Sequence, residues 1–137
     1  MSAENAKQDV QINIGDEMED GTILAGISPD TGQLMYATPR DAPGTYTFNE
    51  AARYAKNLVA HGRHDFHAPS KGELNVLWEN RNKGKLKGTF NESGSDTAGW
   101  YWSSSQDDNG NAWAQCFSDG GMVTNDDTSA LSLRCVK

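Results

Sequence analysis

Five groups of residues have types and spacings that suggest chemistry. Cys116 and Cys135 are too few for a disulfide framework. They are expected as free, partly buried thiols, with a single bridge between neighbouring strands as the alternative. A reactive thiolate needs an electropositive neighbourhood. Cys135 lies between Arg134 and Lys137, but adjacent strand residues face opposite sides. Ser103-Ser104-Ser105 lack the Gly-x-Ser-x-Gly elbow of a nucleophilic serine; strand-edge and loop hydrogen bonds are their expected use. His61, His64 and His67 stand three apart, which invites zinc. They straddle a helix end and a loop with no Cys or acid at a recognised ligand spacing, so surface and capping roles are expected. Asp107, Asp108, Asn109 and Asn111 offer the oxygen ligands of a hard cation, though such clusters more often build turns. The acidic run Asp16, Glu17, Glu19, Asp20 lacks the alternation and closing Glu of a calcium loop.

None of these reads as a catalytic constellation, which leaves binding. Gly99 to Ser105 and Ala112 to Phe117 are rich in aromatics, and Met122 to Thr124 carries the β-branched Val and Thr; such residues suit half-buried strands. Leu131 to Lys137 reads as a further short strand. The connections, Gln106 to Asn111 and Asn125 to Ser129, are almost wholly Asp, Asn, Ser, Thr and Gly. A rigid sheet carrying small polar loops is a binding architecture. Neighbouring Trp and Tyr add contact area at little entropic cost.

The elements that must position this sheet are also legible. Thr22 to Ile27 and Gln33 to Thr38 flank Ser28-Pro29-Asp30-Thr31-Gly32, a turn with Pro at its first central position, and predict a hairpin. Thr47-Phe48-Asn49-Glu50 is a capping box, opening a helix to about Ala60 with Gly62 as its stop. Phe48, Ala51, Ala52, Ala55, Leu58 and Val59 fall on one face of it. Ser70-Lys71-Gly72-Glu73 caps a second helix, with Leu74, Leu77, Trp78 and Arg81 on one face, ending near Asn82 to Gly84. Lys85 to Thr97 is a long loop with Phe90 as its large apolar residue; loops of that length are uncommon without function or mobility. Helices beside sheets predict an α+β domain. Its boundaries are set at 15–137, behind a disordered or extended arm, 1–14.

Composition narrows the function. The chain has 137 residues, 36% of them hydrophobic, and 14 Gly, with a mean hydropathy of −0.73. That suits one loop-rich domain. A net charge of −7 opposes nucleic acid, whose phosphates need clustered cations. The basic run Arg81, Lys83, Lys85, Lys87 fits a solvated helix end. No apolar run is long enough to span a bilayer, and the polar start lacks a signal core. The expected location is the cytoplasm or, by another route, a virion.

The ordered set Tyr101-Trp102-Ser103-Ser104-Ser105, Ala112-Trp113, Phe117-Ser118-Asp119-Gly120 and Leu133-Arg134-Cys135-Val136-Lys137, preceded by Asp65 to Leu74, resembles the C-type-lectin-like domains of bacteria and phage. That group includes the variable proteins of diversity-generating retroelements and, more distantly, the formylglycine-generating enzymes. The resemblance covers residues 45 to 137. It implies a C-type-lectin-like fold with both helices on one side and the ligand loops opposite. It implies a non-enzymatic binder of a protein or cell-surface ligand, without cofactor. By match to the diversified pattern, the contact residues are Gln106, Asp107, Asp108, Asn109, Asn111, Cys116, Gly121, Met122, Thr124, Asn125 and Asp127, with Trp102, Trp113 and Phe117 as scaffold. The alternatives are a copper-dependent oxidase using Cys116 and Cys135, as the formylglycine-generating enzymes use a cysteine pair, and a calcium-dependent carbohydrate binder. For the oxidase no matching motif occurs. For the carbohydrate binder, neither a Glu-Pro-Asn or Gln-Pro-Asp loop nor a Trp-Asn-Asp strand is present.

Overall fold

The computed structural model describes residues 12–93, 97–126 and 129–137. Residues 1–11 of the N-terminal arm and the candidate Asp127 lie outside the described residues. Two small antiparallel sheets and two helices follow one another along the chain. β1 (Ile23–Ile27) and β2 (Leu34–Ala37) form the hairpin. α1 (Phe48–Asn57) and α2 (Lys71–Glu79) come next, then a 3-10 turn, Gly84–Leu86. β3 (Trp100–Gln106), β4 (Ala112–Cys116) and β5 (Met122–Asn125) form the second sheet in that order. The fold is α+β.

Both capping boxes form. The Thr47 hydroxyl accepts from the Glu50 N–H, and Glu50 accepts from the Thr47 N–H; Ser70 and Glu73 do the same for α2. Each satisfies two N-terminal donors that the helix leaves without internal partners. α1 stops at Asn57, three residues before the expected Ala60. Ala60 and Arg63 exchange backbone hydrogen bonds of 3.0 and 2.8 Å, closing a tight turn through His61 and Gly62. Leu58 must therefore leave the helix in an extended conformation.

Adjacent residues of β3 point to opposite faces of its sheet, and each seeds a separate core. Tyr101 packs with Leu74 and Leu77 of α2, with Ile23, Met35 and Ala37 of the hairpin, and with Leu86, Phe90 and Phe117. Trp102 packs with Ala51 and Ala55 of α1, and with Phe66, Ala112, Ala114, Leu131, Leu133 and Cys135. The helices thus cover opposite faces, not one side as the resemblance implied. Leu86 is fully buried beside Phe90, so the long loop carries two large apolar residues.

Leu131 to Lys137 is not a regular strand. Its backbone pairs in turn with Tyr46, with Trp100 and Trp102, with Ala42, Thr38 and Tyr36, and with His67. One short segment serves so many partners because it threads between hairpin, α1 and sheet. That role requires it to be buried, and residues 131–136 all are.

Candidate functional site

Register determines which side chains of the second sheet share a face. Tyr101 pairs with Gln115, Gln115 with Met122, and Trp113 with Thr124. This face meets α2. Lys71, Asn75 and Trp78, at helical spacing, lie beside it. The Lys71 ammonium sits 3.6 Å from the Trp113 ring centroid, a cation–π contact. Gln115 donates to Asn75 Oδ1 at 2.9 Å and to the Gly120 carbonyl at 3.0 Å. Gly120 has φ +81°, and a Cβ there would meet the Trp78 ring at 2.6 Å. The β4–β5 turn can therefore close over the indole only with glycine at this position. Trp78 Nε1 and Gln115 Oε1, both buried, have no protein partner among the described residues.

The polar loops lie at the two ends of β4. Asp107 accepts from the Asn109 and Asn111 N–H groups at 2.9 and 3.0 Å. Gln106 donates to the Gly110 carbonyl at 3.0 Å, and Asp119 accepts from the Gly121 N–H at 2.8 Å. Each side chain fixes its own turn. Asp108, Asn109 and Gly121 are exposed; Met122, Thr124 and Asn125 are half-buried. These candidates from both loops and β5 thus rim both ends of β4 and the β5 edge of the sheet.

Cys116 does not belong with them. It is 3% exposed, its Sγ lies 3.0 Å from Ser118 Oγ, and it shares the Trp100 face of the sheet. A ligand cannot reach it, so it is part of the scaffold. Trp113 moves the other way, since it is half-buried under Lys71 and borders the rim.

The structure makes the metal readings concrete. Both cysteines are free and buried. Burial pushes the Cys135 thiol up to about 12, disfavouring the thiolate that a soft metal binds. Among the described residues no group of three His, Cys, Asp or Glu side chains is placed to hold a metal. Asp107 is committed to its own turn. His61 Nδ1 bonds the Asp20 carbonyl at 2.9 Å, and His67 Nε2 lies 3.1 Å from Glu73 Oε1. Asp20 is held at about 2, chiefly by the Thr22 hydroxyl and N–H and further by Lys137.

Two features of the site were not read from the sequence. Lys71, Asn75 and Trp78 were assigned only to a helix, because nothing local indicates that α2 flanks β4. The second feature was legible. From Gly88 to Leu133 the chain has Glu92, Asp96, Asp107, Asp108, Asp119, Asp126 and Asp127 and not one Lys, Arg or His. The rim is therefore built from a segment of one charge sign.

Two helices, two small antiparallel sheets, a buried C-terminal segment and long polar loops define a C-type-lectin-like domain. Within that class the chain belongs to the Lcl C-terminal domain family, which matches residues 27–137. The match extends beyond the stretch that carried the sequence resemblance and takes in β2. No curated protein matches the chain.

Proposed function

We propose that this lectin-like ligand-binding domain acts without catalysis, touching a cationic region of a protein or cell-surface ligand with its anionic rim. The contact residues are Gln106, Asp107, Asp108, Asn109, Asn111, Gly121, Met122, Thr124 and Asn125, bordered by Trp113. The observation that carries this reading is the confinement of the rim's side-chain bonds to their own turns, on a segment without one cation. Such a surface is pre-formed yet available. Its charge would steer a cationic partner and speed encounter.

The test is a screen of the labelled full chain against arrayed proteins and cells at low and high salt. Binding should weaken as salt rises and fall in Asp108→Lys with the melting temperature unchanged. Binding that ignores both salt and Asp108→Lys would overturn the reading. On the same reading the rim positions are the diversified ones of a retroelement system. A reverse-transcriptase gene and a near-copy of the 3′ coding end beside this gene would support that; a locus lacking both would leave a binder of fixed sequence.

A further inference from the structure

Every sheet edge presents N–H and C=O groups that can template another strand, and natural proteins cover or blunt them. Among the described residues there are four such edges. That of β1 is covered by the preceding chain: Gly15 N–H donates to the Leu24 carbonyl at 2.8 Å and Leu24 N–H to that of Asp16 at 2.9 Å. That of β2 is covered by the C-terminus, with Tyr36 and Lys137 exchanging bonds of 2.9 and 2.8 Å. Ser132 covers β3 through Trp100 and Trp102. Among the described residues nothing pairs with the outer edge of β5.

β5 is short, four residues, but it lacks the other usual protections. Its sequence, Met122-Val123-Thr124-Asn125, has no Lys and no Pro. The β1–β2 and β3–β4 pairings contain bulges or irregularities, whereas β4–β5 runs in unbroken register. Cys116 N–H bonds the Gly121 carbonyl at 2.9 Å. Bonding alternates along an antiparallel pair, so Val123 and Asn125 bond β4, while Met122 and Thr124 aim their N–H and C=O outward. On the face that carries Val123 lies a cavity of about 200 Å³ lined by Trp100, Val123, Asn125, Ser129 and Leu131. That is below the roughly 300–1,000 Å³ of small-molecule sites and suits one apolar side chain. Asp119 stands at one end of the strand, and the stretch from Gly88 to Leu133 that carries it has carboxylates and not one cation.

We propose that β5 receives a fourth strand. The occupant is an extended segment of a partner protein that pairs with Met122 and Thr124, carries Lys or Arg at its ends, and places one apolar side chain in the Trp100–Leu131 cavity. Strand addition of this kind draws affinity from the main chain and specificity from alternate side chains. The carboxylates select a cationic segment, and the cavity sets its register. The proposal rests on the rim being the ligand surface and names how that surface is used.

The experiment selects a displayed library of random linear dodecapeptides against the full chain. The most enriched peptide is then synthesised, with backbone N-methylation at each position in turn. Enriched peptides should alternate apolar and polar residues between basic ends. Methylation should weaken binding by about tenfold per lost hydrogen bond at every second position and little between. Amide exchange of Met122 and Thr124 should slow on binding. Thr124→Pro removes an outward donor without breaking the β4 ladder, as edge strands allow, and should abolish binding with an unchanged melt. If that variant does not fold, the methylated series on the unaltered chain decides.

Failure to enrich any peptide, or binding indifferent to alternate methylation, overturns strand addition. A concentration-dependent dimer of the chain alone, lost in Thr124→Pro, would assign the edge to a second copy and also overturn the proposal. In each case the Asp108→Lys and salt measurements still report separately on the rim.

Discussion

Two regions of this domain are dense in polar side chains and use them in opposite ways. Around Arg134 the partners are far away in sequence. Its guanidinium donates to Asp41 at 2.9 Å and to the Thr38 carbonyl and Thr89 hydroxyl at 3.2 Å each, and it also reaches the Thr89 carbonyl. Tyr101 donates to the same Asp41 at 2.5 Å and accepts from the Asn91 N–H. In the rim, Gln106, Asp107 and Asp119 bond groups two to four residues away. A polar side chain that ties distant chain together holds the fold. One that ties only its own turn leaves that turn rigid and its neighbours free to meet a partner.

The comparison ranks the expected effects. Trp102, fully buried, donates to the Tyr46 carbonyl at 2.6 Å and meets Phe48 edge-on, so Trp102→Ala should cost about 3–5 kcal/mol. Arg134→Met should cost a similar 3–5 kcal/mol or so, because Asp41 loses its ion partner. Burial lowers the Arg134 pKa and Asp41 opposes that; the guanidinium stays charged, so the loss should not depend on pH near neutrality. Urea midpoints check both. A Trp102→Ala variant that melts normally would show that the two-core account is wrong.

Glu73 joins the long-range class. It accepts from Ser28 at 2.7 Å, from the Ser70 N–H at 3.0 Å and from His67. Burial would raise its carboxyl, but these bonds together outweigh burial and hold it at about 2. A depressed carboxyl stabilises the fold fully above its ordinary 4.5, and that contribution is lost as pH falls from there toward 2. The Glu73 bond raises His67 above its ordinary 6.5. This contribution has the opposite sense, full below 6.5 and lost as pH climbs through the raised value. Glu73→Gln should cost about 1–3 kcal/mol at neutral pH and flatten both limbs of the stability–pH curve. Thermal melts from pH 2 to 9 would show it, and unchanged limbs would place the titrating group elsewhere.

Local signals were readable in the sequence wherever one turn decides the outcome. Both capping boxes, the Pro29 turn and the aromatic strands stand where the residues put them. What failed depended on partners distant in sequence. Leu131 to Lys137 has strand-like residues but is divided among many partners, so no alternation could reveal its conformation. Cys116 was assigned to the ligand surface by its match to the diversified pattern, yet the β3–β4 register turns it against Trp100. Arg134 was read only as a neighbour of Cys135, because no local pattern announces a buried guanidinium. The site was legible as a list of loop residues; the contribution of α2 was not, since only tertiary packing brings Lys71 over Trp113.

The smallest effects belong to the rim, and there the comparison is sharpest. Asp107 and Asp108 are adjacent and chemically identical. Asp107 holds two backbone N–H groups of its turn, so Asp107→Ala should cost about 0.5–1.5 kcal/mol and loosen residues 107–111. Asp108 is exposed, so Asp108→Ala should stay within about 0.5 kcal/mol of the parent. On the proposed function both weaken binding of a cationic partner. Asp107→Ala does so partly through disorder, and Asp108→Ala through charge alone, so the Asp108→Ala defect should vanish as salt rises and the Asp107→Ala defect should shrink only in part. Denaturation curves paired with binding at two ionic strengths separate the two. If Asp108→Ala destabilised the domain as much as Asp107→Ala, the rim would be part of the scaffold and the division between the two regions would fail.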